Sequence, residues 1–161
     1  MCAKSIIFYT FAAKMTNMKQ ITIKVAWNNS AFEGLVSSET SSGEMKIVTK
    51  DFNDIIDMGE AELKIGFDGY TEFGLELPEW YKNKEYEFVY KFQDVTAMLK
   101  AYSSYVSLAA ISRETGINSA LLSHYANALK VPRNKQQKII VAGLHRIGAL
   151  LSKCTIDDER K

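Results

Sequence analysis

Apolar and polar residues alternate along four short stretches in the first half of the chain, as they do in half-buried β-strands. Between the third and fourth stretches, apolar residues recur every three to four positions from Phe52 to Phe67, which indicates a helix with one buried face. Asp51 and Asp54 mark its start, and we expect it to end near Asp68. The order βββαβ predicts a small α+β domain in which a helix covers one face of a sheet. The predicted strands are residues 20–27, 31–37, 45–50 and 85–92.

In the second half of the chain, a glycine separates two short stretches with helical periodicity. Ser107 is placed to cap the first stretch, Gly116 supplies the left-handed backbone of a tight turn, and Asn118 caps the second. Ser112, four positions before the glycine, is small enough for the two helices to cross closely. This spacing is typical of a DNA-binding helix-turn-helix. The residues that we expect to face inward from the second helix are Leu121, Leu122, Tyr125 and Leu129.

The outward face of that second helix indicates what the motif touches. Its side chains are short, polar or neutral, and none is acidic, so the helix can enter the major groove and hydrogen-bond base edges. The alternative is an ordinary helical hairpin, for which an acid-free face is accidental. The residues predicted to face DNA are Asn118, Ser119, Ala120, Ser123, His124 and Asn127.

Two further helices complete an all-α domain. Asp94 is placed to cap a helix over 95–102, and after Pro132 a capping box of Asn134 and Gln137 starts a long last helix. We expect two glycines of the last helix to allow close approach to its neighbours. The apolar stripe and these glycines are Ile140, Gly143, Leu144, Ile147, Gly148 and Leu151.

The net charge of +1 hides two oppositely charged halves. Between residues 96 and 153, eight lysines and arginines oppose the single acid Glu114, a net of +7, whereas between 18 and 95 eight lysines oppose fifteen acids, a net of −7. A basic half suits phosphate and predicts an affinity that falls with salt. An acidic half either faces a basic protein or only keeps the molecule soluble. The cations predicted to hold phosphates are Lys130, Arg133, Lys135 and Lys138.

Length and cysteine usage complete the domain prediction. The 161 residues suffice for two small domains, and the two cysteines, Cys2 and Cys154, have no ligand-spaced neighbours, which favours a reducing cytosol over a disulfide or zinc framework. Residues 1–17 only faintly resemble a secretory signal and are interpreted as a disordered extension or a misplaced start. We therefore predict this extension, an acidic domain over 18–93, a DNA-binding domain over 94–153 and a tail over 154–161.

No catalytic constellation emerges from the sequence. The two histidines are not near a cysteine, and the carboxylates of the predicted first helix are those of a solvated face. The aromatic residues of the last strand are expected in the sheet core, because a nucleic-acid stacking surface would have basic neighbours rather than Glu85 and Glu87. We expect a protein that is not an enzyme and that holds no metal or cofactor. The carboxylates in question are Asp57, Glu60, Glu62 and Asp68.

Taken together, these motifs resemble HicB-type antitoxins of the Bacteroidetes style, members of type II toxin–antitoxin systems. The resemblance is most specific over residues 86–151 and weaker over 18–73. It implies a truncated RNase-H-like sheet that covers a HicA-type mRNA-cleaving toxin, and a helix-turn-helix domain that binds the operator of its own operon as a homodimer or higher homo-oligomer. The segments that carry the resemblance are the YEFVYKF strand, Thr115-Gly116-Ile117-Asn118, His124-Tyr125, and Lys130 with Pro132-Arg133.

Two other functions remain open at this stage. One is a stand-alone phage-type helix-turn-helix repressor whose acidic domain only oligomerises. The other is a divalent-metal nuclease that uses the RNase-H-like sheet, although the strands lack clustered carboxylates. If a toxin does bind the acidic domain, Trp27 and Trp80 are candidate anchors, because both lie next to predicted turns.

Overall fold

The computed structural model describes residues 18–36 and 45–155, and it is a mixed α+β structure with a four-stranded sheet and several helices. The chain divides into two compact units, Met1–Gln93 and Asp94–Lys161, and the reversal of charge along the sequence falls at this division. The predicted extension over 1–17, the Ser-rich connection over 37–43 and the end of the tail lie outside the described residues.

The described residues of the first unit form four strands and two helices. The sheet has the order β3-β2-β1-β4, in which β1 pairs antiparallel with β2 and parallel with β4, and β2 pairs antiparallel with β3. Asn29 and Ser30, at φ 48° and 64°, form the two-residue turn of the β1–β2 hairpin. The elements are β1 (Lys19–Asn28), β2 (Ala31–Val36), β3 (Met45–Thr49), α1 (Phe52–Glu72), α2 (Glu79–Lys82) and β4 (Tyr86–Phe92).

One face of the sheet and one side of α1 form the core of this unit. Ile23 and Ile55 are fully buried, and a Cβ added at Gly59 would lie 2.8 Å from Cδ1 of Ile23, so α1 lies close on the sheet. The ring of Phe52 packs against those of Tyr90 and Phe92 at 5.2 and 5.6 Å, so the aromatic side of β4 faces the core, although its four aromatic side chains are only half-buried. The end of α1 was predicted too early: the helix continues past Asp68 to Glu72, and a short helix, α2, follows before β4.

The described residues of the second unit form four helices, and the first three start at the predicted caps. Asp94 accepts from the backbone N of Ala97 at 2.7 Å, Ser107 from that of Ala110 at 3.2 Å, and Asn118 from that of Ala120 at 2.8 Å. Gly116 has the expected left-handed backbone, at φ 71°. The helices are α3 (Val95–Ala101), α4 (Leu108–Thr115), α5 (Ser119–Ala126) and α6 (Asn134–Leu151), around a core of Leu99, Ile111, Leu122 and Ile140.

The prediction that Leu129 faces inward from α5 is wrong. The helix ends at Ala126, and Leu129 is 70% exposed. The cause is Ala128, which adopts a left-handed φ of 57°. Its backbone N donates to Tyr125 O at 3.2 Å, while that of Leu129 donates to His124 O at 2.8 Å, the two hydrogen bonds of a Schellman motif.

Two predictions about α6 also need correction. The helix begins at Asn134, so Arg133 is its capping residue, and Gln136 rather than Gln137 returns a hydrogen bond to the cap, from the Arg133 backbone N to Oε1 at 3.3 Å. Close approach is confirmed at Gly143, where a Cβ would clash with Cγ2 of Thr115. At Gly148 a Cβ would meet nothing within 4 Å, and Leu151 is exposed, so the last turns of α6 extend past the neighbouring helices. Across the described ranges, no helix has the length and apolar character needed to cross a membrane.

Candidate nucleic-acid interface

Helix α5 presents opposite faces to the core and to solvent. Leu122 and Tyr125 are buried. The predicted DNA-facing residues of the helix are separated by three, four and seven positions, so they share a side away from these two. Asn118, Ser119, Ala120 and Asn127 are exposed, and Ser123 and His124 are half-buried.

Two of the predicted base-reading residues already use part of their hydrogen-bonding capacity. Oδ1 of Asn118 accepts the cap hydrogen bond of α5, which leaves its amide group as a donor. Nδ2 of Asn127 donates to the carbonyl O of Ser123 at 2.9 Å and to Oγ of Ser123 at 3.4 Å. Asn127 therefore presents mainly an acceptor in this conformation, and a bidentate contact with adenine requires its amide to turn.

His124 is only partly available on this face. Its Nδ1 is buried and has no hydrogen-bond partner among the described residues. A contact to a base or a phosphate therefore falls to the other ring nitrogen.

The four predicted phosphate-binding cations lie immediately after α5 and on the first turns of α6. All four are exposed, and none forms an ion pair within the described part of the chain. Glu114, the single acid between residues 96 and 153, is bound by Arg146, whose Nε pairs with its carboxylate and whose Nη2 donates to its backbone O at 3.0 Å. Among residues 96–153, no acid is therefore left to neutralise the four cations Lys130, Arg133, Lys135 and Lys138.

A network of hydrogen bonds fixes the segment that carries these cations. The hydroxyl of Tyr125 donates to Oε1 of Gln136 at 2.8 Å. Nε2 of Gln137 donates to the carbonyl O of Pro132 at 3.1 Å, and Pro132 itself is buried. On the other side, Oγ1 of Thr96 donates to the carbonyl O of Tyr125 at 2.7 Å. The turn is thus tied both to α5 and to α6.

Sequence reasoning missed two parts of this surface. Gln136 connects three segments, but nothing in the sequence distinguishes it from a solvated glutamine. Leu129 and Val131 are both exposed beside the cations, Val131 by 88%. Their apolar character favoured burial, and only the early end of α5 places them in solvent.

In the first unit, neither candidate tryptophan is a free anchor. Trp27 is half-buried with its ring 4.8 Å from that of Phe32, and Trp80 is half-buried with its ring 5.4 Å from that of Phe67. Among the aromatic residues that the structure describes, Phe73 is instead highly exposed, at 83%. Within the described ranges, no group of three or more histidine, cysteine, aspartate or glutamate residues is arranged to hold a metal ion.

The chain was compared with protein-family models, with curated proteins and with solved structures, and none of these matched it. The geometry of the described residues is therefore what supports a function.

Proposed function

We propose that this protein is an antitoxin of the HicB type, which binds the operator of its own operon through the helical unit and neutralises a HicA-type mRNA-cleaving toxin through the α+β unit. One observation carries the DNA-binding half of this proposal. The acid-free face of α5 is followed directly by four exposed cations that have no ion-pair partner among the described residues.

In this proposal, α4, the turn at Gly116 and α5 act as a helix-turn-helix, with α5 as the recognition helix. The first residues of a recognition helix contact base edges. Ser119 and Ala120 occupy the first turn of α5 and are exposed. A serine hydroxyl can donate to or accept from a base, and an alanine methyl leaves room for the methyl group of thymine.

The four cations would bind phosphates on either side of that groove. Phosphate contacts orient a protein on DNA but carry no sequence information, so the cations supply affinity and α5 supplies specificity. Because Tyr125 and Gln136 join these elements by a hydrogen bond, both contacts would be made by one rigid surface.

A homodimer would place two recognition helices on two operator half-sites. The end of α6 supports pairing of this kind, because Leu150 and Leu151 are exposed and no residue from Ile147 to Ser152 is charged. Two units that each carry an excess of positive charge can meet at such a surface without like-charge repulsion. A two-fold interface requires a patch that is complementary to itself, and an apolar patch meets this requirement.

For the α+β unit, the proposal is a truncated RNase-H-like sheet that covers the toxin. A toxin that grips RNA must be basic, and an acidic unit would both attract it and block its RNA-binding surface. The alternative function, a phage-type repressor without a toxin partner, would bind DNA in the same way but would not bind a toxin through the α+β unit.

Two experiments test the two halves separately. In the first, the chain is titrated with a duplex from upstream of its own gene and with a scrambled duplex. Ser119→Ala should lose affinity for the operator by about 0.5–1.5 kcal/mol, the net value of one hydrogen bond, and little for the scrambled duplex. Ser104→Ala, which removes an exposed hydroxyl outside α5, is the control. Equal losses on both duplexes would exclude base reading by Ser119.

In the second experiment, the chain is mixed with the product of a short basic reading frame beside its gene, and RNA degradation is followed. Suppression of cleavage supports the antitoxin function. If the mixture degrades RNA as fast as the basic protein alone, the phage-type repressor is the function that remains.

A further inference from the structure

The negative charge of the first half is concentrated in one segment. Residues 52–79 contain eight acids and one lysine, a net of −7. The remainder of residues 18–95 contains seven acids and seven lysines, and is neutral. The acidity is therefore a property of α1 and of the segment that follows it.

The solvent side of α1 also carries exposed apolar residues. Met58 is 41% exposed and Ile65 is 60% exposed. Their separation of seven positions places them on one side of the helix, with Ala61 between them. The opposite side, represented by Leu63 and Phe67, is buried in the core. Four acids of α1 lie three, four or seven positions from Met58 or Ile65, and therefore on the same side of the helix, namely Asp54, Glu62, Asp68 and Glu72.

Beyond the last turn of α1, Phe73 adds a larger apolar group in a fixed position. Its backbone N donates to the O of Gly69 at 3.1 Å. Gly74 then turns left-handed at φ 69°, and the backbone N of Leu75 donates to the O of Tyr70 at 2.8 Å. These hydrogen bonds order the backbone at Phe73 before any partner binds, so less conformational entropy is lost on binding.

A notch separates Ile65 from Phe73. Gly69 lies four residues after the first and four before the second, in the same row along the helix. A Cβ at Gly69 would meet nothing within 4 Å, so the space above this glycine is open. We call the row Ala61, Ile65, Gly69 and Phe73, together with Met58, the α1 ridge.

The face of the sheet away from α1 is less suited to a basic partner. Lys24 of β1 lies opposite Lys91 of β4 and opposite Leu35 of β2, which lies opposite Lys46 of β3. A row across this face thus carries three lysines. Glu33, which pairs with Lys46, and Glu87 lie on the same face, so its strands carry three lysines and two acids, whereas the α1 ridge is flanked mainly by acids.

We propose that the α1 ridge is the surface that binds the toxin, and that the toxin inserts an apolar side chain into the notch at Gly69 while its lysines and arginines face the flanking acids. This inference rests on the proposed antitoxin function and assigns its protein-binding site. The inserted apolar side chain would supply most of the affinity, because the residues that carry most of the binding energy in an interface lie in well-packed, fully desolvated pockets. The charges would mainly accelerate association.

The test uses the full chain and the purified product of the short basic reading frame beside its gene, in a form whose RNA cleavage has been inactivated by substitution. Phe73→Ser and Ile65→Ser should each weaken binding about tenfold or more, mainly through faster dissociation. Gly69→Leu should weaken binding similarly while leaving the melting temperature unchanged or raised, because it fills the notch and replaces glycine within a helix. Val48→Ser is the matched control, since Val48 is exposed but lies on the face of the sheet away from α1.

The acids beside the α1 ridge should affect the association rate more than the dissociation rate. Asp68→Asn with Glu72→Gln should slow association and flatten its dependence on salt, with a smaller change in the dissociation rate. Operator binding by every variant serves as the check that the rest of the chain is intact.

Three outcomes would overturn the inference, and they are distinguishable. If the Phe73, Ile65 and Gly69 variants bind the toxin as tightly as the wild type, the antitoxin function is retained but the toxin-binding site lies elsewhere. Absence of the reading frame, or of binding by the wild type, would remove the proposed function together with its site. A change of oligomeric state caused by Phe73→Ser in the chain alone would identify the α1 ridge as an interface between copies.

Discussion

The side chains of Tyr125 and Gln136 join α5 to the first turn of α6 through a hydrogen bond of 2.8 Å from the phenol to Oε1. The same Oε1 accepts from the backbone N of Arg133 at 3.3 Å. One glutamine oxygen therefore ties the helix proposed to read bases to the segment proposed to hold phosphates. These hydrogen bonds fix the distance between the side chains proposed to contact bases and those proposed to contact phosphates.

Tyr125→Phe tests this connection without changing the packing of the ring. We expect the free energy of unfolding to fall by about 1 kcal/mol, the usual net value of such a hydrogen bond. Operator affinity should fall as well, because the basic segment loses its tie to α5. Denaturant unfolding and operator titration measure the two effects. Ser104→Ala, which removes an exposed hydroxyl of the same unit, is the control, and an equal loss there would contradict a specific role for the bond.

Removal of single cations should change the salt dependence of DNA binding. Arg133→Ala and Lys135→Ala should each lower the slope of log affinity against log salt by about 0.9, and should weaken operator and scrambled duplexes alike. The control is Lys84→Ala in the first unit, which should leave the slope unchanged. A slope that stays constant in the Arg133 and Lys135 variants would place this cluster away from DNA.

The two glycines of α6 should respond in opposite directions to the same substitution. Gly143→Ala forces a methyl group against Cγ2 of Thr115 and should destabilise the helical unit by about 1–3 kcal/mol. Gly148→Ala adds a methyl group in open space and should stabilise it by up to about 1 kcal/mol through helix propensity. Thermal unfolding of the two variants measures both. Equal effects would mean that α4 and α6 do not meet closely at Gly143.

Glu33 should contribute to the free energy of unfolding, and this contribution should be lost at low pH. Asn28 donates to its carboxylate at 3.2 Å, and Nζ of Lys46 lies 3.1 Å from it, and these contacts lower the pKa of Glu33 below its usual value. Because the folded pKa is below the unfolded one, the contribution is present above the unfolded pKa and is lost as the pH falls through the folded pKa. Asn28→Ala should raise the pKa of Glu33 towards normal, as measured by NMR titration. An unchanged pKa would assign the shift to Lys46 alone.

Local signals made part of the second unit predictable. Asp94, Ser107, Asn118 and Gly116 act through hydrogen bonds and backbone angles within a few residues, so their types and spacing are sufficient to predict helix starts and a turn. The end of α5 is different. No sequence signal predicts that an alanine adopts the left-handed conformation, as Ala128 does. This conformation ends α5, and Leu129, which was predicted in the core, is therefore exposed.

The candidate sites also differ in how far they could be predicted from the sequence. The acid-free face of α5 and the basic cluster are compositional, and were found from spacing and charge. The α1 ridge depends on which apolar side chains of α1 remain uncovered, and on how Phe73 is held after the helix ends. The tryptophans were the obvious anchors by residue type, but ring packing against Phe32 and Phe67 occupies both.

The left-handed Ala128 limits α5 to eight residues, the same length as α4. Helices shorter than about 12–15 residues are marginal in water by themselves. A synthetic peptide that copies α5 should therefore be a random coil and should not compete for the operator, however well it reproduces the outward side chains. The proposed DNA-reading surface would therefore exist only in the folded unit, so the urea midpoint for loss of DNA binding should coincide with the midpoint for unfolding.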